Sequence, residues 1–267
     1  MKPVRLFLQA TILSSIALGA SASADDWSLF GHGSERGSGE ITTEQRQPGE
    51  FQRILLECSA DIVVSIDSQY RVTVTTDDNL QDNVITEVTG RKTLVIDTDG
   101  NISSRRGILV EISTPHLVQL EVDGSGSIQI DQLKEETFEI LLDGSGDIEL
   151  AGEIKELEIS LDGSGQVTAS DLISEDVKVE IGGSGDVELQ GKADYLECTL
   201  SGSGDIDARR LEAQSVDART HGSGDISVYA AKSFDGTVYG SGDIDVYGNP
   251  DDLERSTPGS GEIRRRR

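Results

Sequence analysis

A column of acidic residues is the part of this sequence that could do chemistry. A Gly-Ser-Gly phrase occurs eight times between Gly124 and Ile263, and six of the eight phrases are followed directly by Asp or Glu. Four such residues in succession are Asp186, Asp205, Asp225 and Asp243. Oxygen-only ligands suit calcium or magnesium and do not suit zinc. The sequence therefore predicts either calcium held between neighbouring carboxylates and turn carbonyls, or a solvated acidic face without metal.

Catalytic groupings are hard to find elsewhere in the chain. The three histidines, His32, His116 and His221, stand in unrelated contexts. The sequence contains no G-x-S-x-G elbow, no phosphate-binding loop and no zinc-type spacing of Cys and His. A serine that recurs in eight equivalent turns indicates turn geometry and not a nucleophile. We therefore predict that the protein is not an enzyme, with a polysaccharide lyase or hydrolase as the alternative.

The acidic column belongs to a repeat of fixed length. Successive phrases begin 20, 19, 20, 19, 20, 18 and 19 residues apart. Apolar residues precede each phrase at alternate positions, as in Phe138, Ile140 and Leu142, and follow it in the same way, as in Ile148 and Leu150. This alternation predicts two β-strands per repeat, each with one face inward. Glycine reaches positive φ without a steric clash, which predicts a turn at each phrase, and a third corner lies between repeats.

One repeat is too small to fold by itself. About six inward side chains contribute roughly 10–15 kcal/mol at most, whereas ordering some 20 residues costs about 20–30 kcal/mol. Repeats of equal length must therefore stack, with parallel strands about 4.8 Å apart. We predict an all-β fold, a single-stranded parallel β-helix of about 19–20 residues per coil. It is expected to be right-handed, because parallel crossovers almost always are.

The Gly-Ser-Gly-Asp-Ile ladder follows a lead-in that begins GSGEITTEQRQPGEFQRILLECSADIVVSI. Lead-in and ladder together resemble the autotransporter-adhesin head family, also called the head GIN domain, from about Gly37 to Ile263. The resemblance implies a bacterial cell-envelope protein with a β-helix, and it brings no catalytic residues. The function expected on this basis is adhesin-like surface interaction, and a purely structural spacer is a further alternative.

The chain divides into five predicted segments. Residues 1–24 have the charged start, apolar centre and Ala-Ser-Ala end of a signal peptide. Residues 25–39 form a polar, glycine-rich leader that we expect to be flexible. Residues 40–123 are a strand-rich lead-in, which forms either irregular coils or a small antiparallel cap, and residues 124–263 are the solenoid. Residues 264–267 are a basic tail that is either solvated or neutralises nearby carboxylates.

The formal net charge of −26 limits the partners. Such an excess of acid argues against nucleic acid and against anionic membrane surfaces. No stretch beyond the signal peptide is a candidate transmembrane segment. The expected partner is a protein or glycan of the cell surface or envelope, and the expected location is the periplasm, the outer-membrane surface or the outside of the cell.

Two cysteines in an exported chain suggest a disulfide. However, Cys198 lies in an inward column of the solenoid and Cys58 lies in the lead-in, several coils away. A separation of roughly 20 Å is too large, because a disulfide needs Cα atoms within about 7 Å. We predict two buried free thiols.

Overall fold

A computed structural model describes residues 34–266. The predicted signal peptide and the leader through Gly33, including His32, lie outside the described residues. The strands are β1 (Glu35–Arg36), β2 (Ile41–Arg46), β3 (Arg53–Leu56), β4 (Asp61–Ile66), β5 (Arg71–Asp77), β6 (Val84–Thr89), β7 (Thr93–Thr98), β8 (Ile102–Ser103), β9 (Leu109–Thr114), β10 (Gln119–Val122), β11 (Ser127–Leu142), β12 (Asp147–Leu161), β13 (Gln166–Ile181), β14 (Asp186–Leu200), β15 (Ile206–Thr220), β16 (Ile226–Val238), β17 (Ile244–Gly248), β18 (Asp252–Ser256) and β19 (Ile263–Arg265). Two short 3-10 helices cover Asp78–Asn83 and Gly90–Lys92. Within these residues, no helix has the length and apolarity that crossing a membrane requires.

Each long strand from β11 to β16 is one coil of a β-solenoid. Every coil pairs in parallel with the next, as in the pairs Ile128–Ile148 and Ile140–Ile159 between β11 and β12. Strands β17 and β18 both pair with β16, and β19 pairs with β17. The hydrogen bonds between coils consequently run along the axis of the stack. The predicted parallel β-helix is confirmed.

The inward columns form one continuous core. The residues two places before each of the first seven phrases are buried, and they are Val122, Leu142, Leu161, Ile181, Leu200, Thr220 and Val238. A second buried column stands four residues after the first glycine of each of these phrases, and it runs from Ile128 to Ile244. Thr220 is the polar exception in its column, and its hydroxyl has no hydrogen-bond partner among the described residues.

The phrase glycines are needed for a different reason than the one expected from the sequence. None of them has a positive φ, so the prediction of left-handed turn residues is wrong here. Instead, a Cβ on Gly163 would lie 1.9 Å from the carbonyl oxygen of Gly144 in the preceding coil. A Cβ on Gly204 would lie 1.8 Å from the carbonyl oxygen of Gly185. The coils approach each other so closely at this corner that the glycine positions of the turn have no room for a side chain larger than hydrogen, whereas the serine between them points away from the contact.

Positive φ occurs at the third corner. Gln132 and Asp171 have φ of 58° and 51°, and Gly152 and Gly191 occupy the same corner in alternate coils with φ of 154° and 141°. The pairing register shifts at each of these corners. The apolar residues that the sequence places at these corners, Leu133, Ile154, Leu172 and Leu211, are buried.

The lead-in combines the two arrangements that the sequence left open. Strand β3 pairs in parallel with both β10 and β7, and β4 pairs in parallel with both β11 and β9. These strands extend the coil stack toward the N-terminus. Beyond them, β6 pairs antiparallel with β7, β5 pairs antiparallel with β9, and β2 pairs antiparallel with β5.

A degenerate copy of the repeated phrase lies in the lead-in. The turn from Cys58 to Ala60 stacks on the first Gly-Ser-Gly, with the hydroxyl oxygens of Ser59 and Ser125 2.9 Å apart. The side chain of Asp61 then takes the place of the acidic residue that follows a phrase. The run Cys-Ser-Ala-Asp-Ile carries the signal, but alanine and cysteine in place of glycine conceal it.

The 3-10 helix Asp78–Asn83 covers the N-terminal opening of the stack. Its Leu80 is fully buried, and the side-chain amide of Gln81 donates to the carbonyl oxygen of Thr42 at 2.9 Å. Asp77, which precedes this helix, is buried and accepts the backbone N–H of Gly39 at 2.6 Å. The Ser104 hydroxyl, the Gly39 amide and the charge of Arg105 hold the pKa of Asp77 below its ordinary value. The last leader residues are thereby joined to the solenoid end.

Charged residues occupy core positions at the C-terminal end. Arg255 pairs with Gly236 and Arg265 pairs with Val246, both of which are buried inward positions of the preceding coil. Both arginines are exposed, while Leu253 and Ile263 pack partly buried against the last core layer. The segment predicted as a basic tail thus begins inside β19.

The structure confirms two buried free thiols. Cys58 and Cys198 are both buried and unpaired. Burial raises the pKa of Cys58 to about 11, and it raises the pKa of Cys198 further, because that side chain is fully enclosed. Neither thiol is poised for chemistry at neutral pH.

Candidate functional site

The structure brings the four predicted aspartates together in one hydrogen-bonded column. The N–H of Asp205 donates to Oδ1 of Asp186 at 2.8 Å, and the N–H of Asp225 donates to Oδ1 of Asp205 at 2.8 Å. The next two bonds, from Asp243 to Asp225 and from Glu262 to Asp243, are both 2.7 Å long. We call Asp186, Asp205, Asp225, Asp243 and Glu262 the acidic ladder.

The acidic ladder occupies only the second half of the solenoid. In the two coils before the ladder the equivalent N–H groups bind backbone instead, from Asp147 to the carbonyl oxygen of Gly126 at 3.0 Å and from Gln166 to that of Gly146 at 3.3 Å. The first coil differs, because the N–H of Ser127 binds Oδ1 of Asp61. In the ladder coils, the backbone N–H of the residue after each rung donates to the backbone carbonyl oxygen of the rung in the next coil, as the N–H of Ile206 does to Asp225 at 3.0 Å. Gln166 interrupts the acidic column and has no carboxylate to offer.

These bonds change the electrostatics expected from the sequence. Stacked carboxylates about 4.8 Å apart repel one another, but each of the first four rungs also accepts a backbone N–H from the next coil, and hydrogen bonds to a charged acceptor are stronger than those between neutral groups. Oδ2 of Asp243 also lies 2.7 Å from Nη1 of Arg264, and Arg266 lies 2.9 Å from Asp245. Part of the basic tail therefore neutralises nearby carboxylates.

Calcium at the ladder stays a prediction. Oδ1 of each of the first four rungs is committed to an amide, so a cation would rely on Oδ2 and on turn carbonyls. Among residues 34–266, no group of three or more His, Cys, Asp and Glu side chains is arranged to hold a metal ion. Any calcium would accordingly be held by fewer side chains and more backbone oxygens than in a dedicated cage.

A second charged cluster lies on the opposite sheet face, formed by the strand segments before each phrase. Arg219 bridges Asp217 at 2.6 Å and Glu197 at 3.5 Å. Burial raises the pKa of Asp217, and the charge of Asp235 adds to this while Arg219 opposes it. Lys178 binds Glu158 at 2.7 Å and Glu180 at 3.0 Å, which raises the pKa of its ammonium group. The pairs Lys178–Glu158 and Arg219–Glu197 join neighbouring coils, and the other two pairs lie within one strand.

The histidines and turn serines do not form a catalytic arrangement. Nδ1 of His116 lies 3.2 Å from Glu135, whose carboxylate also accepts the N–H of Leu117. His221 stacks on Tyr239 with ring centroids 4.6 Å apart. In the described part of the chain, no serine hydroxyl is hydrogen-bonded to a histidine.

The third side of the solenoid carries an open groove of about 630 Å³. Its apolar surface comes mainly from Ile173, which is 56% exposed, while the lining residues Ile154 and Ala193 are buried beneath it. Lys134 and Lys155 border the groove and form ion pairs with Glu153 and Glu136. Sequence reasoning missed this groove, because Ile173 stands at a corner whose equivalent residues in neighbouring coils are charged.

The sequence reasoning also missed an aromatic pair near the C-terminal end. Tyr229 and Tyr247 are direct neighbours in the register of β16 and β17. The guanidinium carbon of Arg209 lies 5.9 Å from the centre of the Tyr247 ring. Each tyrosine stands seven residues after the first glycine of its phrase, directly after the second inward position that follows the phrase. Comparison of this next outward position across the repeats would have revealed the pair.

Three solved structures share this fold over nearly their whole length. A "putative lipid binding protein" from Parabacteroides distasonis is 27% identical, with a TM-score of 0.79 over 87% of this chain and 99% of the other. A "putative adhesin" from Bacteroides fragilis is 24% identical, with a TM-score of 0.67 over 86% and 99%. A "putative adhesin" from Parabacteroides merdae is 19% identical, with a TM-score of 0.80 over 87% and 98%. The comparison with curated proteins gave no match.

A family model matches most of the chain. It covers residues 50–189 and 154–250, which together span the lead-in from β3 onward and nearly all coils. This agrees with the resemblance carried by the ladder and its lead-in. The chain belongs to the family described as "Putative auto-transporter adhesin, head GIN domain".

Proposed function

We propose that this protein is an exported, adhesin-like module of the bacterial cell envelope that binds a partner through its outward sheet faces. The observation that carries the proposal is the stack of coils. Backbone hydrogen bonds and the acidic ladder hold the coils in register, and the stack therefore presents long, regular outer faces. Membership of the adhesin family and the likeness to solved structures named as adhesins support it. The signal-peptide pattern of residues 1–24 supports export.

The partner is contacted without catalysis in this proposal. The larger depressions of the described residues are open grooves on the rod, lined by ion pairs between coils. Such grooves do not exclude water from a reacting group, and enzymes rely on that exclusion. A panel of neutral and acidic polysaccharides, assayed for new reducing ends and unsaturated products, should show no turnover. Turnover that a single carboxylate substitution abolishes would establish the enzyme alternative instead.

Surface exposure is tested with the full chain carrying a C-terminal epitope tag in its own host. Protease added to intact cells should remove the tag, while a periplasmic control protein stays intact. A deletion strain should then lose adhesion to a surface or neighbouring cell type that the wild-type strain binds. A protease-protected tag together with unchanged adhesion would refute the surface role.

A lipid-binding role is a second candidate, favoured by the apolar groove around Ile173. One solved structure with this fold, at 27% identity, is named a lipid-binding protein. The groove offers an apolar floor around Ile173, with the ammonium groups of Lys134, Lys155 and Lys192 and five carboxylates along its margin, two of which pair with Lys134 and Lys155. Binding of a fluorescent fatty acid should weaken in Ile173→Asp and stay unchanged in Leu109→Asp, which alters another exposed apolar residue. Equal binding by both variants would remove this candidate.

A further inference from the structure

The outward aromatic residues of the solenoid are concentrated in its last coils. Tyr229 and Tyr247 follow their phrases by the same number of residues. In earlier coils that place is taken by Asp131, Ala151, Ser170, Gln190 and Arg209. The two tyrosines are neighbours in register on β16 and β17 and are half-buried. Coils about 4.8 Å apart bring the two side chains into contact range.

The ring of Tyr229 lies over the backbone of the next coil. Gly248, which follows Tyr247, has a φ of 89°, and a Cβ placed on it would be 3.3 Å from Cζ of Tyr229. The end of the Tyr229 side chain therefore lies close to the backbone of the next coil, and an aromatic side chain beside a sheet glycine is a recognised packing arrangement. The two tyrosines form a half-buried aromatic patch on the outer side of the last coils.

Arg209 borders this surface and is held in place. Its Nε donates to Oδ1 of Asp207 at 2.8 Å, and a second bond joins its Nη2 to the same carboxylate. The corner that contains Arg209 is longer than that of the next coil, because Ala208 pairs with Val228 whereas Glu212 pairs with Tyr229. The extra residues, 209–211, make a step on one side of the tyrosines.

The opposite side is bordered by Asn249, whose side-chain oxygen accepts a hydrogen bond from Arg265. Charges around the pair are largely balanced. Arg209 pairs with Asp207, Arg210 with Glu188 and Arg266 with Asp245. The surface thus combines aromatic faces with hydroxyl, amide, carboxylate and guanidinium groups at its margins, without the acidic excess of the earlier coils.

We propose that Tyr229, Tyr247 and Arg209 form a binding site for a neutral glycan. A pyranose ring has a C–H face that packs on an aromatic face and equatorial hydroxyls that meet polar groups at the margin. Rigid tyrosines supply this contact at low entropic cost. The proposal rests on the adhesin-like function and deepens it by naming the class of partner.

The test uses the full-length protein on an array of neutral, amino and acidic oligosaccharides, followed by titration with the strongest neutral hit. Tyr229→Ala and Tyr247→Ala should each weaken binding about two- to tenfold, the value of an aromatic stacking contact. Tyr247→Phe should retain most of the affinity. Tyr195→Ala, which removes an outward tyrosine from the opposite face, is the matched control and should bind like wild type. Thermal unfolding of each variant separates lost binding from lost folding.

Two results overturn the inference. One is no binding to any neutral glycan, and the other is binding that Tyr195→Ala weakens as much as Tyr247→Ala does. If the strain lacking the protein still shows reduced adhesion in either case, the adhesin-like function stands and only the glycan site fails. If adhesion is unchanged as well, both fail.

Discussion

Oδ1 of Asp205 accepts the N–H of Asp225 at 2.8 Å, so a side chain of one coil replaces a backbone carbonyl as the acceptor for the next coil. The same relationship recurs along the acidic ladder, and Asp61 already makes it to the N–H of Ser127 at 3.0 Å. The repeated aspartate is therefore a structural part of the coil-to-coil bonding, in addition to any role on the surface.

Removing a rung should destabilise the solenoid. We expect Asp225→Ala to lower the free energy of unfolding by about 1.5–3 kcal/mol, because the N–H of Asp243 loses a charged acceptor. Asp225→Asn keeps an oxygen acceptor and should cost less. Asp147→Ala is the control, since the equivalent N–H in the next coil binds the carbonyl oxygen of Gly146, and it should stay within about 0.5 kcal/mol of wild type. Urea unfolding measures all three.

Calcium bound at the ladder should raise the thermal unfolding temperature at fixed ionic strength. The gain from millimolar calcium should disappear when Asp205 and Asp225 are both changed to Asn, because those variants lose the carboxylate ligands. Equal gains in both proteins, or none in either, would mean that the ladder is a solvated acidic face without a bound ion.

The close approach of coils at the phrase makes a sharp prediction for Gly204. In Gly204→Ala the new Cβ would meet the carbonyl oxygen of Gly185 at 1.8 Å, so the coils must separate. We expect a loss of at least about 3 kcal/mol, at the upper end for overpacking. Ser203→Ala, an exposed position in the same turn, should change stability by less than about 0.5 kcal/mol. Similar effects of the two changes would contradict the steric explanation.

Stability should fall as the pH rises through the titration of Glu121. This residue lies between Leu55 and Leu141 in the register of neighbouring strands. Burial raises the pKa of Glu121 above its ordinary value of 4.5, and the charges of Asp123, Asp143, Glu139 and Glu57 raise it further. Between the ordinary and the raised pKa the folded state binds more protons than the unfolded state, so the free energy of unfolding decreases as pH increases through that interval.

Glu121→Gln should reduce this dependence and stabilise the protein at neutral pH. Urea unfolding between roughly pH 4 and pH 7 gives the comparison. If the difference in the free energy of unfolding between wild type and Glu121→Gln does not change with pH, Glu121 does not titrate in this interval.

The arginines at the C-terminal end should keep copies of the rod apart. In the described residues, β18 and β19 each pair with a strand on one side only, and inward-pointing charge is a known protection of such edges. Changing Arg255 to Leu, Thr257 to Val and Arg265 to Val together should shift the protein to larger species in sedimentation velocity. Arg91→Leu with Arg106→Leu removes the same charge elsewhere, and equal behaviour of the two variants would contradict a specific role of this end.

The period in the sequence was sufficient to predict the coil register, because each coil must place its apolar residues over those of the last. Other features depend on details that spacing does not encode. The turn at Cys58 was hidden because cysteine and alanine stand where the later turns have glycine. The sequence does not show whether a carboxylate or a carbonyl accepts the next amide, because the N–H of Gln166 binds the carbonyl oxygen of Gly146 although Asp147 follows that glycine, whereas the N–H of Asp205 binds the carboxylate of Asp186. The step at Arg209 arises because residues 209–211 have no partners in the next coil. The spacing between phrases shows that this repeat is longer than the next one, but it does not show at which corner the extra residues lie.

The coil-to-coil hydrogen bonds run along the axis of the stack, and this determines how the protein responds to force. A load applied between the two ends pulls the outermost coil away from its neighbour, so its bonds break one after another and not all at once. Each detached coil of about 20 residues releases roughly 65 Å of chain at about 3.3 Å per residue. A protein built in this way is expected to lengthen in small, similar steps under tension, while the core columns of the remaining coils stay closed.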